Sequence, residues 1–252
     1  MSTLTIPPTL PPLLEPHVPP PSSSQSQSKP FLTLTFATSL DSSLSLAPGV
    51  RTALSGPESK AMTHYLRSRH DAILIGAGTA IADDPGLNCR IAGGSSPRPI
   101  VLDPRGRWVF SRESKVLQLV TEGKGLAPWV FVGEGVDVDE GRRGLLEERG
   151  GRYVPVRTEE GRFRWRDLLD VLKGLGVRSV MVEGGGEVIN SLLRGEERRM
   201  VDSVIVTIAP TWLGKGGVVV SPERDQDGPV RLTEVKWIPL GEDVVVCGRI
   251  KG

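Results

Sequence analysis

Residues 31 to 37 read Phe-Leu-Thr-Leu-Thr-Phe-Ala, an alternation of β-formers that predicts a first strand. Short apolar runs at 72–75, 99–102, 128–132 and 177–182 predict further strands, each too short for a helix of ordinary length and buried on both faces. Strands are also expected at 115–120, 151–156, 201–209, 233–237 and 243–250. Elsewhere the period shifts toward 3.6. Trp165, Leu168, Leu169, Leu172 and Leu175 fall on one stripe of a helix, a pattern of core packing, which Gly176 ends. A helix to about residue 69 starts at Ser55-Gly56-Pro57-Glu58, with Ser55 as N-cap, proline in the first turn and glutamate three residues on. Met62, Tyr65 and Leu66 face the sheet from it. A charged helix over 139–149 and one over 187–193 complete the set. Strands alternating with helices imply an α/β domain with a mostly parallel central sheet and helices on both faces. The last strands have no helical pattern between them, so the C-terminal edge is expected to be antiparallel.

The first 29 residues follow another pattern. Nine of the 21 prolines lie in the first 30 positions, followed by a Ser/Gln run over 22–28. Such composition buries too little apolar surface to offset its ordering entropy, so residues 1–29 read as a disordered, dispensable tail and 30–252 as a single domain. The tail has no arginine and no basic-then-apolar leader, which argues against targeting to mitochondria or secretion.

Charge and cysteine usage narrow the function. With 31 basic and 30 acidic residues the net charge is +1, and aromatics are only 5%, so neither a basic footprint nor a stacking platform for nucleic acid is present. No apolar run reaches the roughly 18 residues of a membrane helix. Cys89 and Cys247 are too few for a disulfide framework, and with His17, His64 and His70 scattered, no metal cluster is expected. A cytoplasmic protein without membrane or nucleic-acid partners is the reading.

Two glycine stretches carry the candidate chemistry. Gly76-Ala77-Gly78 follows the strand at 72–75 and opens into Thr79 to Asp84, stopped by Pro85. Gly184-Gly185-Gly186 follows the strand at 177–182. Glycine lets the backbone approach a ligand closely, and free N–H groups at a helix start suit a phosphate. Together the stretches predict one nucleotide cradle assembled from two distant places. The first fails the dinucleotide fingerprint, because Ile81 stands where its third glycine belongs. Three glycines at a helix start disfavour the helix, so their reason lies outside local stability. The adjacent Asp83 and Asp84 point different ways at a helical turn and also complement its dipole, so they are not read as an acid–base pair.

At these residues the chain resembles a known family. TAIADDPGLNCR (79–90), VMVEGGGEVINSLL (180–193) and VDSVIVTIAPTWLGKGG (201–217) are similar to the riboflavin-pathway reductases, closest to their fungal single-function branch through FATSLDSSLSLAPGV (36–50) and SGPESKAMTHYLRSRHDAILIG (55–76). The resemblance covers roughly residues 30 to 250. It implies a dihydrofolate-reductase-like fold, NADPH as cofactor, a ribosylamino-pyrimidinone 5′-phosphate as substrate and a homodimer. Residue by residue, it implies cofactor contacts at Thr79, Asp83, Gly185, Gly186, Glu187 and Val188, with Val156 a further one. It implies substrate contacts at Arg67, Leu87, Arg90 and Glu183, the arginine forks suiting a sugar phosphate. No catalytic proton donor stands out; water or Glu183 would serve. Ser42 and Pro104 depart from the family, which usually has glycine and often serine there, and proline offers no N–H to a cofactor. No H-x-E with P-C-x-x-C is present, so the zinc deaminase often fused to bacterial relatives is missing. Two other readings stay open: a pterin- or folate-type reductase on the same fold, and a non-catalytic nucleotide-binding module.

Overall fold

The computed structural model describes residues 3–20, 28–224 and 228–251. In chain order the elements are α1 (Leu10–Leu14), β1 (Phe31–Thr38), β2 (Ser43–Ser45), α2 (Pro57–Ser68), β3 (Ala72–Gly76), α3 (Ala77–Asp83), β4 (Arg98–Leu102), α4 (Lys115–Thr121), β5 (Trp129–Gly133), α5 (Glu140–Glu147) and β6 (Arg152–Val156). They continue with β7 (Thr158–Glu159), β8 (Arg162–Phe163), α6 (Trp165–Gly174), β9 (Ser179–Gly184), α7 (Gly186–Leu192), β10 (Ser203–Ile208), β11 (Val218–Val219), β12 (Leu232–Leu240) and β13 (Asp243–Ile250).

Nine strands form one sheet in the order β12-β13-β10-β1-β9-β3-β4-β5-β6. From β10 to β6 every pairing is parallel. The hairpin β12–β13 joins antiparallel at the β10 edge, as the helix-free C-terminal pattern implies. Because successive strand residues point to opposite faces, the continuous apolar runs serve two cores at once. Leu74, Ile100 and Phe131 pack with Leu168, Leu169 and Leu172 of α6 and Leu192 of α7. Ile73, Ile75, Val101 and Val130 pack on the other face with Ala80 of α3, Val116 and Leu117 of α4 and Leu146 of α5. Burying each large side chain of this kind contributes about 1.5–3 kcal/mol.

Three expectations are corrected here. The run at 115–120 is helix α4, not a strand: Val116, Leu117 and Leu119 are buried, and the Asp84 carboxylate accepts from Lys115 N at 3.1 Å, capping the helix from a distant segment. The N-cap of α2 is Gly56, not Ser55, and its own side chains make no cap. The start of β13 supplies one instead: Asp243 Oδ2 accepts from Gly56 N at 2.9 Å and Ser59 Oγ at 2.6 Å. The third concerns the N-terminal segment. Residues 1–2 and 21–27 of the expected tail lie outside the described residues, but 3–20 are docked on the domain. Leu10 and Leu14 of α1 and Val18 are buried with Met62, Leu66, Ile205 and Val245 in a third cluster. Prolines at the first positions of α1 fit its helical φ, so a proline-rich pentapeptide presents two leucines to the core.

Candidate active site

The sheet order turns at its centre. From β3 the chain proceeds through β4 and β5 to β6 at one edge, whereas β10, β13 and β12 proceed to the other. Ligands in open α/β sheets sit outside the carboxyl ends of strands at such a reversal. A cleft of about 750 Å³ opens there, of a size usual for small-molecule and cofactor sites. Gly76 to Thr79, Glu183 and Gly185 to Val188 all line it.

The two glycine stretches meet directly. Thr79 Oγ1 accepts a hydrogen bond from Gly185 N at 3.1 Å, linking α3 to the turn before α7. The glycines are needed for that approach. A Cβ on Gly185 would lie 2.8 Å from Thr79 Oγ1, and one on Gly76 would lie 3.0 Å from Val188 Cγ2. Gly184 has φ +114°, a backbone that residues with a Cβ rarely adopt. Gly186 serves packing as well, since a Cβ there would meet Val218 Cγ1 of β11 at 2.4 Å.

Glu183 sits where the register of β9 against β3 steps over one residue: Leu74 faces Val182, but Ile75 faces Gly184. Such a step re-aims the side chain at the irregular position. The carboxylate lines the cleft and is gripped from behind by Arg67, whose Nε and Nη2 donate to Oε1 and Oε2 at 2.7 and 2.6 Å. Arg67 Nη1 donates to Asn88 O at 3.0 Å. Its fork is therefore engaged within the protein, in the bidentate geometry that fixes a carboxylate best. Arg90 lies on the same loop, its Nε 3.0 Å from His64 Nε2 and its N 3.2 Å from His64 Nδ1. Burial, then the Arg67 and Arg90 charges, lower the His64 pKa to about 3, so the ring is neutral beside them. Leu87 and Arg90 stand on the loop behind Glu183, outside the cleft wall, and the Leu87 side chain is buried with Ile73 and Ile75.

Asp83 faces the cleft, and burial raises its pKa, with Arg51 opposing. Asp84 turns away to cap α4, so the two carboxylates are not a working pair. Glu187 is exposed and pairs with Arg162 at 3.7 Å. Val156 points into the core beside Leu102 and Trp165, and its carbonyl accepts from Glu134 N. Asp41 closes a turn: it accepts from Ser39 Oγ and from Leu213 and Gly214 N, which lower its pKa.

Sequence reading missed the basic wall of the cleft. Arg105 and Arg107 line it from the turn that leaves β4, and neither is in an ion pair among the described residues. That turn is rigid. Gly106 N donates to Asp103 O at 3.0 Å, Trp108 N to Asp103 Oδ2 at 2.7 Å, and Gly133 N to Pro104 O at 3.2 Å. The signal was available: two arginines directly after a strand's carboxyl end, in a Pro-x-Gly turn. Trp165 and Leu168, read as core, also form cleft wall. No group of three or more metal-ligating side chains is gathered among the described residues.

Comparison with known proteins accounts for this geometry. Residues 30–246 match the family model described as the RibD C-terminal domain. The chain is 42% identical, over 99% of its length and 100% of the relative's, to a Debaryomyces hansenii protein named 2,5-diamino-6-ribosylamino-4(3H)-pyrimidinone 5′-phosphate reductase. An Eremothecium gossypii protein of the same name is 45% identical over 94% of this chain and 95% of its own. Among solved structures, the riboflavin biosynthesis reductase Rib7 of Saccharomyces cerevisiae superposes with a TM-score of 0.80 and 37% identity, covering 96% of this chain and 99% of that one. A joined pair of glycine elements at the sheet's turning point, on a chain that matches this model over most of its length, places the protein in the family of the RibD C-terminal domain.

Proposed function

We propose that the protein reduces 2,5-diamino-6-(ribosylamino)pyrimidin-4-one 5′-phosphate to its ribitylamino counterpart, with NADPH as reductant. The observation that carries this reading is the Thr79–Gly185 hydrogen bond, which makes one cradle of the two glycine stretches with Glu183 at its floor. The cradle fits a dinucleotide: its two halves meet so closely that a Cβ at Gly185 would strike Thr79 Oγ1, and the cleft volume suits a cofactor with a small substrate beside it. When bound, the dihydronicotinamide supplies a hydride. That hydride would go to C1′ of the imine to which the ribosylamine opens, and a proton to the imine nitrogen, giving the amine. Thr79, Asp83 and Gly185 to Val188 would hold the cofactor. Glu183, fixed by Arg67, orients the pyrimidine and the reacting carbon, a positioning role in which much of the rate advantage of such enzymes resides. Arg90 stands outside the cleft wall, on the loop that Arg67 ties to Glu183, and from there is assigned the 5′-phosphate.

Preference for NADPH over NADH rests on Arg105 and Arg107. Two guanidinium groups on a hydrogen-bonded turn, facing the cleft without carboxylate partners among the described residues, suit a phosphate monoester on the cofactor's ribose. The second subunit of a homodimer covers the exposed apolar side chains of the β12–β13 edge, where Trp237 is 63% exposed. The two free thiols accord with a cytoplasmic site of action.

The test follows NADPH absorbance with this pyrimidine and, separately, with dihydrofolate. Turnover of the pyrimidine alone supports the reading. Turnover of dihydrofolate points to a folate reductase, and binding without turnover to a nucleotide module. Arg107→Ala raises the KM for NADPH at least tenfold and leaves that for NADH within twofold. Equal losses with both cofactors refute the assignment of the basic turn.

A further inference from the structure

The N-terminal segment does more than cover core. Its first described stretch runs beside the loop that carries Arg90: Leu4 forms a parallel bridge with Ile91, and Leu4 N donates to Arg90 O at 2.9 Å. The segment then turns at Pro7, seats Leu10 and Leu14 against α2, and is clasped at the end of α2 by Glu15, which accepts from Arg69 at 2.7 and 3.0 Å. α2 is the helix that carries His64 and Arg67. The 88–91 loop is thus held from one side by α2, through Arg67 to Asn88 O and His64 to Arg90, and from the other by Leu4. A loop fixed from two sides keeps its guanidinium where it is needed, whereas one fixed from a single side samples more conformations and must be ordered by its ligand.

We propose that the N-terminal segment is a positioning element of the substrate half of the site, with the Leu4 backbone N–H setting the Arg90 loop for the sugar phosphate. Among the described residues its contacts are with α2, the Arg90 loop and the sheet face beneath, not with Thr79 or Gly185, so its effect is expected on the pyrimidine. This rests on the reading of Arg90 as a phosphate ligand, and the experiment separates the two.

Residues 2–8 are deleted from the full chain, leaving α1 and its leucines in place. A net hydrogen bond contributes about 0.5–1.5 kcal/mol, so the KM for the phosphorylated pyrimidine rises roughly 2- to 12-fold. The KM for NADPH and kcat stay within twofold, and the melting temperature falls by no more than about 2 °C. Leu4→Pro, which removes the N–H but keeps the segment, reproduces the rise. Unchanged pyrimidine KM in both variants overturns the proposal. So does an equal loss for NADPH, or a fall in melting temperature comparable with that of Leu14→Ala, because either makes the segment merely structural. Arg90→Ala serves as the second axis. If it raises the pyrimidine KM and the deletion adds little on top, the two act through one contact, as neighbouring groups do in a double-mutant cycle. If Arg90→Ala has no effect and the deletion alone does, the Arg90 assignment fails while the positioning role of the segment stands on the loop backbone.

Discussion

Leu14→Ala tests the docking of the N-terminal helix most sharply. Leu14 is 0% exposed and Leu10 2%, both in one cluster with Met62, Leu66, Ile205 and Val245. Truncating a buried leucine to alanine costs about 2–5 kcal/mol, the spread reflecting how far the surroundings close in. For a domain of this size each kcal/mol lowers Tm by about 2–4 °C, so a global effect is a fall of roughly 4–20 °C. Local detachment sets a lower ceiling. If the segment can peel away, the loss stops at its own docking free energy, because the domain unfolds no more easily once it is gone. The assay is thermal unfolding with amide exchange at Leu4 and α1, run beside Leu13→Ala. Leu13 shares the helix but is 40% exposed, so its truncation stays within about 0.5 kcal/mol. A large fall for position 14 with none for 13 reports burial rather than helix propensity. Equal, small effects at both positions, with turnover intact, would refute the docking and restore the dispensable tail that composition suggests.

Two further outcomes follow from the geometry. His70 is buried between Thr33 Oγ1 and Leu66 O, and burial lowers its pKa from 6.5 to about 4. The unfolded chain binds this proton below pH 6.5 and the folded one does not, so its contribution is full above pH 6.5 and falls toward pH 4, by about 2 kcal/mol at pH 5, on top of the like loss from His64; denaturant titrations in which His70→Gln keeps the full slope would exclude it as a source. Gly185→Ala places a Cβ 2.8 Å from Thr79 Oγ1, so NADPH affinity by fluorescence titration falls at least tenfold while Thr79→Ala/Gly185→Ala recovers thermal stability over Gly185→Ala alone; unchanged affinity would remove the second half of the cradle.

The strands were legible because apolar runs bounded by glycine and proline have few other uses, and the glycine stretches because three glycines at a helix start need an outside reason. What escaped was fixed by distant partners. The run 115–120 has strand-forming residues, and its helix rests on partners outside it, the Asp84 carboxylate at Lys115 N and the core that receives Val116, Leu117 and Leu119. Ser55 is a good local cap, yet Asp243 takes the role. The docking of Leu10 and Leu14 escaped because the groove that receives them is built by α2 and by β9, β10, β12 and β13, all later in the chain. Arg67 is expected from the resemblance as a substrate contact, and only Glu183, far along the chain, shows where its fork is engaged.

The place of β1 in the sheet also bears on how the chain is made. β1 is synthesised first, yet it lies between β9 and β10, with Phe31 paired to Ser179 and Thr33 to Ser203. The strands β3 to β6 pair with their immediate successors and can form as they leave the ribosome. Contacts between distant residues carry a closure cost before they return any stability, so the central slot fills last. Until then an eight-residue strand, buried at Leu32 and Leu34, has no partner on either edge and is the segment most exposed to wrong pairing with another nascent chain. Pulse-labelled exchange during refolding therefore finds β3 to β6 protected ahead of β1; protection of β1 first would reverse that order.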